Sequence, residues 1–279
     1  MKIWEAIVYG IVGGICELLP ISFSGHAVML RNAFHLSSLS VGGGYFVRAF
    51  ICLGVVIAIY LSFSMQSRKF GRELGLMIGL RKPKRRERVD RLARRCVMLY
   101  LIAFLMMLCS LFFLAAAERI ERLLYIIIFF ALYAGLLYLC CRSKVGKKTE
   151  RNASVSDFAL IGAARMLCVF PGMSSLGSSI AVGRARGFSL EYNIRTAYLL
   201  TLAYQAFLFI YYLIRGIAFG SFSGAIILPC LLAMIFTVVC GYLAIQYFRY
   251  LLQRVKFNVF IYYTLEIAAV ATILALINA

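Results

Sequence analysis

The stretch Glu17-Leu18-Leu19-Pro20-Ile21-Ser22-Phe23-Ser24-Gly25-His26 decides how the rest of the chain is read. It sits in an apolar region, residues 1–39, yet carries an acid, an imidazole, two hydroxyls, a proline and a glycine. Proline and glycine interrupt a helix and free backbone amides. An ionisable side chain at bilayer depth costs roughly 2.5–3.5 kcal/mol on insertion scales, so Glu17 and His26 need a reason to be there. Amides at a helix start, beside the hydroxyls of Ser22 and Ser24, make an anion site. His26 is suited to act as acid, base or nucleophile. Glu17 can hold a divalent cation or orient His26. A structural Glu–His pair accounts for these two residues about as well.

A second break answers the first. Phe170-Pro171-Gly172-Met173-Ser174-Ser175-Leu176-Gly177-Ser178-Ser179 interrupts the apolar region 157–195. Arg165 precedes it, and Arg184, Arg186 and Arg195 follow. Small residues permit close backbone approach, hydroxyls donate, and arginine brings a fixed positive charge. The plainer reading is close helix packing, with the last three arginines reaching the cytoplasmic interface. That reading suits Arg165 less, because it lies in the helix leading to the break. One acid, one imidazole, several hydroxyls and an arginine suit a phosphorylated ligand whose tail lies in lipid. Neither break is a Walker loop, and no zinc-protease or hydrolase-elbow motif is present.

Composition sets the class. Of 279 residues, 63% are hydrophobic and 15% charged, with 30 Lys and Arg against 11 Asp and Glu. Soluble domains are about 45–50% apolar and about 25% charged. The chain is therefore read as a polytopic membrane protein, not a soluble or disordered one. Its basic surplus accompanies long apolar runs, so no nucleic-acid partner is expected. The nine cysteines lie in apolar stretches without a C-x-x-C pair and read as buried thiols. No removable signal peptide is expected, since Glu5 interrupts the opening stretch.

Apolar windows fall at 45–64, 96–117, 123–141, 197–219, 224–248 and 257–277. Each approaches the ~20 residues that cross ~30 Å of hydrocarbon as a helix. Basic residues crowd 66–95 and 142–151 and recur at Arg249, Arg254 and Lys256. The positive-inside rule puts these three loops in the cytoplasm. Six spans agree with that only if each broken region returns to its starting side. The expectation is an all-α polytopic membrane protein with six transmembrane helices and two re-entrant helical hairpins in inverted repeat. Residues 1–141 form the first repeat, with a basic cytoplasmic loop at 66–95. Residues 142–156 form a basic linker, and 157–279 form the second repeat. Three spans per half reverse the orientation, so the first hairpin enters from outside and the second from the cytoplasm. Broken helices meeting at mid-membrane mark a site in such architectures.

The first stretch resembles the E-F-L-P-[IV]-S-S-[ST]-G-H signature of the undecaprenyl-pyrophosphate phosphatases, the bacitracin-resistance family. Pro171-Gly172-Met173-Ser174-Ser175-Leu176-Gly177 resembles that family's P-G-x-S-R-S-G. Lesser echoes run in order along the chain, among them Leu53-Gly54, Gly187-Phe188-Ser189 and Gly241–Ile245. The resemblance implies a membrane-embedded hydrolase of the bacterial inner membrane. It would convert undecaprenyl pyrophosphate to undecaprenyl phosphate, recycling the carrier lipid for peptidoglycan synthesis, at a site open to the outer side. It implies Mg²⁺ or Ca²⁺ at Glu17 and catalysis by His26 and Glu17. Phosphate binding would fall to Ser22, Ser24, Gly172, Ser174 and Ser179.

Three positions depart from the signatures. The family's second acid, four residues before Glu17, is Gly13 here; the middle serine of the first motif is Phe23; and the arginine of the second motif is Ser175. Arg165 or Arg48 is a candidate replacement for that arginine, and simple balancing of Glu17, Glu191 or Glu266 is the competing explanation. A non-hydrolytic binder or translocator of polyprenyl phosphate is the alternative function. A structural or immunity protein would require no lipid binding at all. Gly10-x-x-x-Gly14 can pack helices within the chain or across a homodimer.

Overall fold

The computed structural model describes residues 1–81, 90–120, 122–219, 223–254 and 257–277. Lys256 and most of the basic residues at 81–88 lie outside the described residues. The elements are α1 (Ile3–Leu18), α2 (Phe23–Phe34), α3 (Gly44–Ser62), α4 (Ser64–Met77), α5 (Arg91–Leu108), α6 (Leu111–Ala117), α7 (Leu123–Cys141), α8 (Val155–Leu167), α9 (Ser175–Ala185), α10 (Leu190–Phe219), α11 (Ile227–Arg254) and α12 (Val259–Ile277). No β-strand occurs among the described residues; a lone bridge joins Lys148 and Phe188. Five helices are long and apolar enough to cross a bilayer, and six if α5 and α6 count together.

The 96–117 window differs from the expected straight span. It bends by 42° between α5 and α6. At the bend, the Ser110 hydroxyl meets the Tyr204 hydroxyl at 2.7 Å, drawing the chain toward α10. The basic 66–95 segment begins as α4, with Glu73 buried against Arg72 at 2.7 Å.

Helices in lipid gain little from burying apolar surface against one another, so close packing must hold them. α11 lies against both α1 and α3. A Cβ on Gly14 would come within 2.7 Å of the Thr237 carbonyl oxygen, so only glycine permits this approach. Thr237 Oγ1 donates to the Gly10 carbonyl at 3.0 Å across the same seam. The Gly10–Gly14 stripe is thus occupied by α11 of the same chain. α8 packs on α5 in the corresponding manner. There a Cβ on Gly162 would approach the Ala103 carbonyl to 2.6 Å. α3 packs on α10, and α7 on α12.

Most of the described basic residues gather at one end of the bundle. Arg95 donates to the carbonyls of Arg151 and Ala153, each at 2.7 Å. Arg195 pairs with Glu150 at 2.8 Å, Arg184 donates to the Ser143 carbonyl, and Arg249 to the Ser62 carbonyl. The opposite end carries Glu5, which accepts from Ser37, and Glu118, which lies 3.8 Å from both Arg48 and Arg215.

Asp157 ties the basic end together. It caps α8 through the Ser154 amide at 2.9 Å and accepts from Arg186 at 2.6 Å and Lys148 at 3.2 Å. Burial pushes its pKa up, but these donors outweigh burial and hold it down at about 2, from an ordinary 3.8. A folded value below the unfolded one stabilises the protein above about pH 4, and the contribution fades as pH falls toward 2. Asp157→Asn should therefore cost about 1–2 kcal/mol at neutral pH. Thermal unfolding in detergent at pH 7 and pH 3 checks this: the gap between variant and parent should narrow at the lower pH.

Candidate functional site

Both breaks start a helix in the same way. Ser22 caps α2 by accepting from the Gly25 amide at 3.3 Å. Ser174 caps α9 by accepting from the Gly177 amide, also at 3.3 Å. The first amides of each helix have no acceptor within it. The first intrahelical bonds run only from the His26 amide to Ser22 and from the Ser178 amide to Ser174. Each break therefore presents N–H groups and the positive end of a helix dipole.

The breaks touch. Ser22 Oγ also accepts from the Gly172 amide at 3.0 Å, a bond between residues 150 positions apart. A Cβ on Gly25 would lie 3.0 Å from the Gly172 backbone. Gly172 has φ of +113°, a conformation that side chains disfavour, and this turns its amide toward Ser22. Carbonyls released where α1 ends are satisfied from afar. Tyr198 donates to Leu18 at 2.8 Å, and Tyr133 to Pro20 at 2.9 Å. Irregular backbone in a membrane is tolerated only where such partners exist.

A cavity of about 60 Å³ lies where the breaks meet. Its wall includes Glu17, Ser22, Phe23 and Ser24 from the first break, and Met173, Ser174 and Ser175 from the second. Arg48, Arg165, Tyr204, Gln205 and Tyr212 complete the polar lining. A second, outer cavity shares Phe23, Ser24 and Arg48 with it and runs to Arg31, Ser38, Ser40 and Glu118. That outer cavity reaches the end opposite the basic cluster.

Arg165 is buried, 3% exposed. It donates to Ser179 Oγ at 2.7 Å, to the Ser175 carbonyl at 3.2 Å and to Thr201 Oγ1 at 3.2 Å. Its Nε has no partner, and neither do Gln205 Oε1 and the Tyr212 hydroxyl. Buried polar groups are nearly always paired, so three orphans on one wall point to a polar occupant. Arg48 stacks over Tyr212, 4.4 Å from the ring centre, and reaches Ser40 at 3.4 Å. Glu17 lies within electrostatic reach of both Arg48 and Arg165.

The sequence-derived candidates separate into groups. Glu17, Ser22, Ser24, Ser174 and Arg165 all line the cavity. The Gly172 amide is engaged by Ser22, and Ser179 holds Arg165 from behind. Arg184, Arg186 and Arg195 belong to the basic end. His26 is beside the break but not on the cavity wall. Its Nδ1 meets the Ser22 carbonyl at 2.6 Å and its Nε2 the Tyr263 hydroxyl at 2.8 Å. Phe130 packs edge-on against the ring. The imidazole thus braces the turn that carries Ser22. Gln205, Tyr204 and Tyr212 went unnoticed in the sequence; an amide in the middle of an apolar span was the signal available.

A divalent cation fits this wall poorly. Among the described residues, no three His, Cys, Asp or Glu side chains gather, and Glu17 is the one carboxylate on this wall. The place of a second carboxylate, Gly13, is closed: a Cβ there would meet Ile51 at 2.7 Å and the Phe23 ring at 3.6 Å. Glu17 instead faces two guanidinium groups.

The model of the family described as bacitracin resistance protein BacA matches residues 6–270. The chain belongs to the BacA family. It is 27% identical to an undecaprenyl-diphosphatase of Methanobrevibacter smithii, over 94% of each chain. Against the undecaprenyl-diphosphatase of Methanosphaera stadtmanae it is 28% identical over 99% of each. Against that of Thermodesulfovibrio yellowstonii it is 27% identical, over 98% of this chain and 97% of the relative.

Proposed function

We propose that this BacA-family chain is a membrane phosphatase that converts undecaprenyl pyrophosphate to undecaprenyl phosphate and inorganic phosphate. The observation that carries the assignment of its site is the convergence of two helix starts, two guanidinium groups and one carboxylate on a single cavity. Phosphoryl transfer asks mainly for positioning and charge stabilisation, which such a wall supplies.

In this reading the β-phosphate rests against the α2 and α9 amides, Ser24 and Ser174, with Arg48 and Arg165 facing its oxygens. Glu17 takes a proton from the attacking water. The new bond forms between the water oxygen and the β-phosphorus, and the bond from that phosphorus to the bridging oxygen breaks. The lipid phosphate leaves with the bridging oxygen. His26 acts as a positioning residue for the Ser22–Ser24 turn.

The topology proposed with it has six spans, α5 and α6 forming one, and two re-entrant hairpins, α1–α2 and α8–α9. At about 1.5 Å per residue these hairpin helices span only about 16–24 Å, short of the ~30 Å core. The packing supports an inverted repeat of 1–141 and 157–279 joined by 142–156. Each hairpin lies on the second span of the other half, α1 on α11 and α8 on α5. The basic end is assigned to the cytoplasm of a plasma membrane, so the outer cavity opens the site to the other side.

Release of phosphate from undecaprenyl pyrophosphate by the purified chain tests the reading. Tight lipid binding without release would favour a binder or translocator instead. His26 supplies a finer test. Losing its bond to Ser22 should cost about 1 kcal/mol, so His26→Ala should slow turnover roughly five- to tenfold. A group that itself moves the proton would cost about 10²–10⁴-fold. His26→Gln, which still can donate to the Ser22 carbonyl, should recover most of the loss.

A further inference from the structure

The wall of the inner cavity bears three charged side chains, Glu17, Arg48 and Arg165. Their formal sum is positive before any ion is added. A cation bound to Glu17 alone would have one protein carboxylate and two guanidinium neighbours within electrostatic reach. Like charges so placed in a membrane-embedded, low-dielectric site repel strongly. The position that could have brought a second carboxylate, Gly13, is crowded by Ile51, which a Cβ would approach to 2.7 Å. The groups that oppose a metal ion are the ones that suit a pyrophosphate. A guanidinium presents fixed N–H donors to phosphoryl oxygens and does not lose its charge.

The two arginines are held differently. Arg165 is fixed from behind by Ser179, the Ser175 carbonyl and Thr201, with Nε left over as a buried orphan donor. Arg48 is loosely held, stacked on Tyr212 with Glu118 at 3.8 Å, and it stands where the inner and outer cavities join. One is a fixed clamp deep in the site, and the other stands at its mouth.

We propose that Arg48 and Arg165 together replace the divalent cation, so that this chain binds and cleaves a polyprenyl pyrophosphate with no metal ion. The proposal rests on the phosphatase reading of this cavity. It assigns the charge neutralisation of the pyrophosphate to two side chains, one from α3 and one from α8.

The test uses the purified full chain in detergent with farnesyl pyrophosphate, as a soluble short-chain probe, and undecaprenyl pyrophosphate. Calorimetric binding and phosphate release are measured in EDTA and again with excess Mg²⁺ or Ca²⁺. Binding and release in EDTA should lie within about twofold of the values with metal. Arg48→Gln should weaken binding in EDTA by about tenfold or more, the loss of one charge-assisted contact at about 1.5–3 kcal/mol. Arg48→Lys should restore part of it. Arg165→Gln should behave likewise, and Arg48→Gln stands alone as the test if that buried variant fails to fold. Binding that vanishes in EDTA and returns with Mg²⁺ would overturn the proposal and leave the phosphatase reading intact. Unchanged binding by a folded Arg48→Gln variant would overturn it too. Metal-free binding without release in any buffer would keep the arginine pair as a binding element but overturn metal-free cleavage, and the phosphatase reading with it. No binding in any buffer would reject both.

Discussion

Glu17→Gln is expected to lower phosphate release from undecaprenyl pyrophosphate by roughly 10²–10⁴-fold, the usual worth of a positioned general base. The reason is geometric. Glu17 is the one carboxylate on the inner wall, and both guanidinium groups lie within its electrostatic reach. The amide keeps the size of the side chain but cannot accept the water's proton. It also removes a negative charge that opposes the anionic ligand, so binding should hold or tighten while turnover collapses. That split between kcat and KM separates loss of a base from loss of a fold. If release survives Glu17→Gln with less than a tenfold change, another group is the base and the assignment fails.

The second large effect is structural. A Cβ on Gly177 would overlap the Tyr133 hydroxyl, which is fully buried and bonded to the Pro20 carbonyl. Tyr133 cannot swing aside, because its ring lies inside the main core with Leu137 and Leu176. Gly177→Ala should therefore cost about 1–3 kcal/mol or more by overpacking. It should also drive the two breaks apart and abolish turnover. Tyr133→Phe alone should cost about 1–3 kcal/mol, the penalty for an unpaired Pro20 carbonyl. Combined with Gly177→Ala it removes the worst overlap and leaves tight contacts of 3.0 Å to the ring and to Pro20, so the double variant should be less damaged than the sum of the two. Detergent melting curves of the four proteins measure this coupling. Strict additivity would mean that residues 177 and 133 do not meet.

Much of the cavity wall is legible in the sequence. Glu17 and Arg165 stood out because ionisable groups are costly in apolar helices. Ser22 and Ser174 stood out because each follows a proline in a broken apolar stretch and precedes a glycine by three residues. The direction of His26 follows from helix periodicity rather than from motif order. Residues 23, 24, 27, 28 and 31 of α2 line the cavities, which is one face at helical spacing. Position 26 is about 200° round from position 24 and falls on the opposite side. Motif spelling gives residue types in order; helix periodicity gives their direction. The bend between α5 and α6 is not visible to hydropathy, which averages over a window, and the Ser110–Tyr204 contact found at it joins distant positions. The tyrosine donors to Leu18 and Pro20 likewise come from 180 and 113 positions away. No local pattern encodes such pairings.

The contact of α1 with α11 bears on how the molecule is made. α1 leaves the ribosome well ahead of the helix that seats against its glycines, which follows more than two hundred residues later. Until α11 has been made, α1 has no permanent seat, and its acid at position 17 must be sheltered by the insertion machinery or by interim neighbours. A chain stopped before residue 227 should consequently be recognised as unfinished and degraded, whereas the missing carboxy-terminal piece supplied as a separate polypeptide should rescue it.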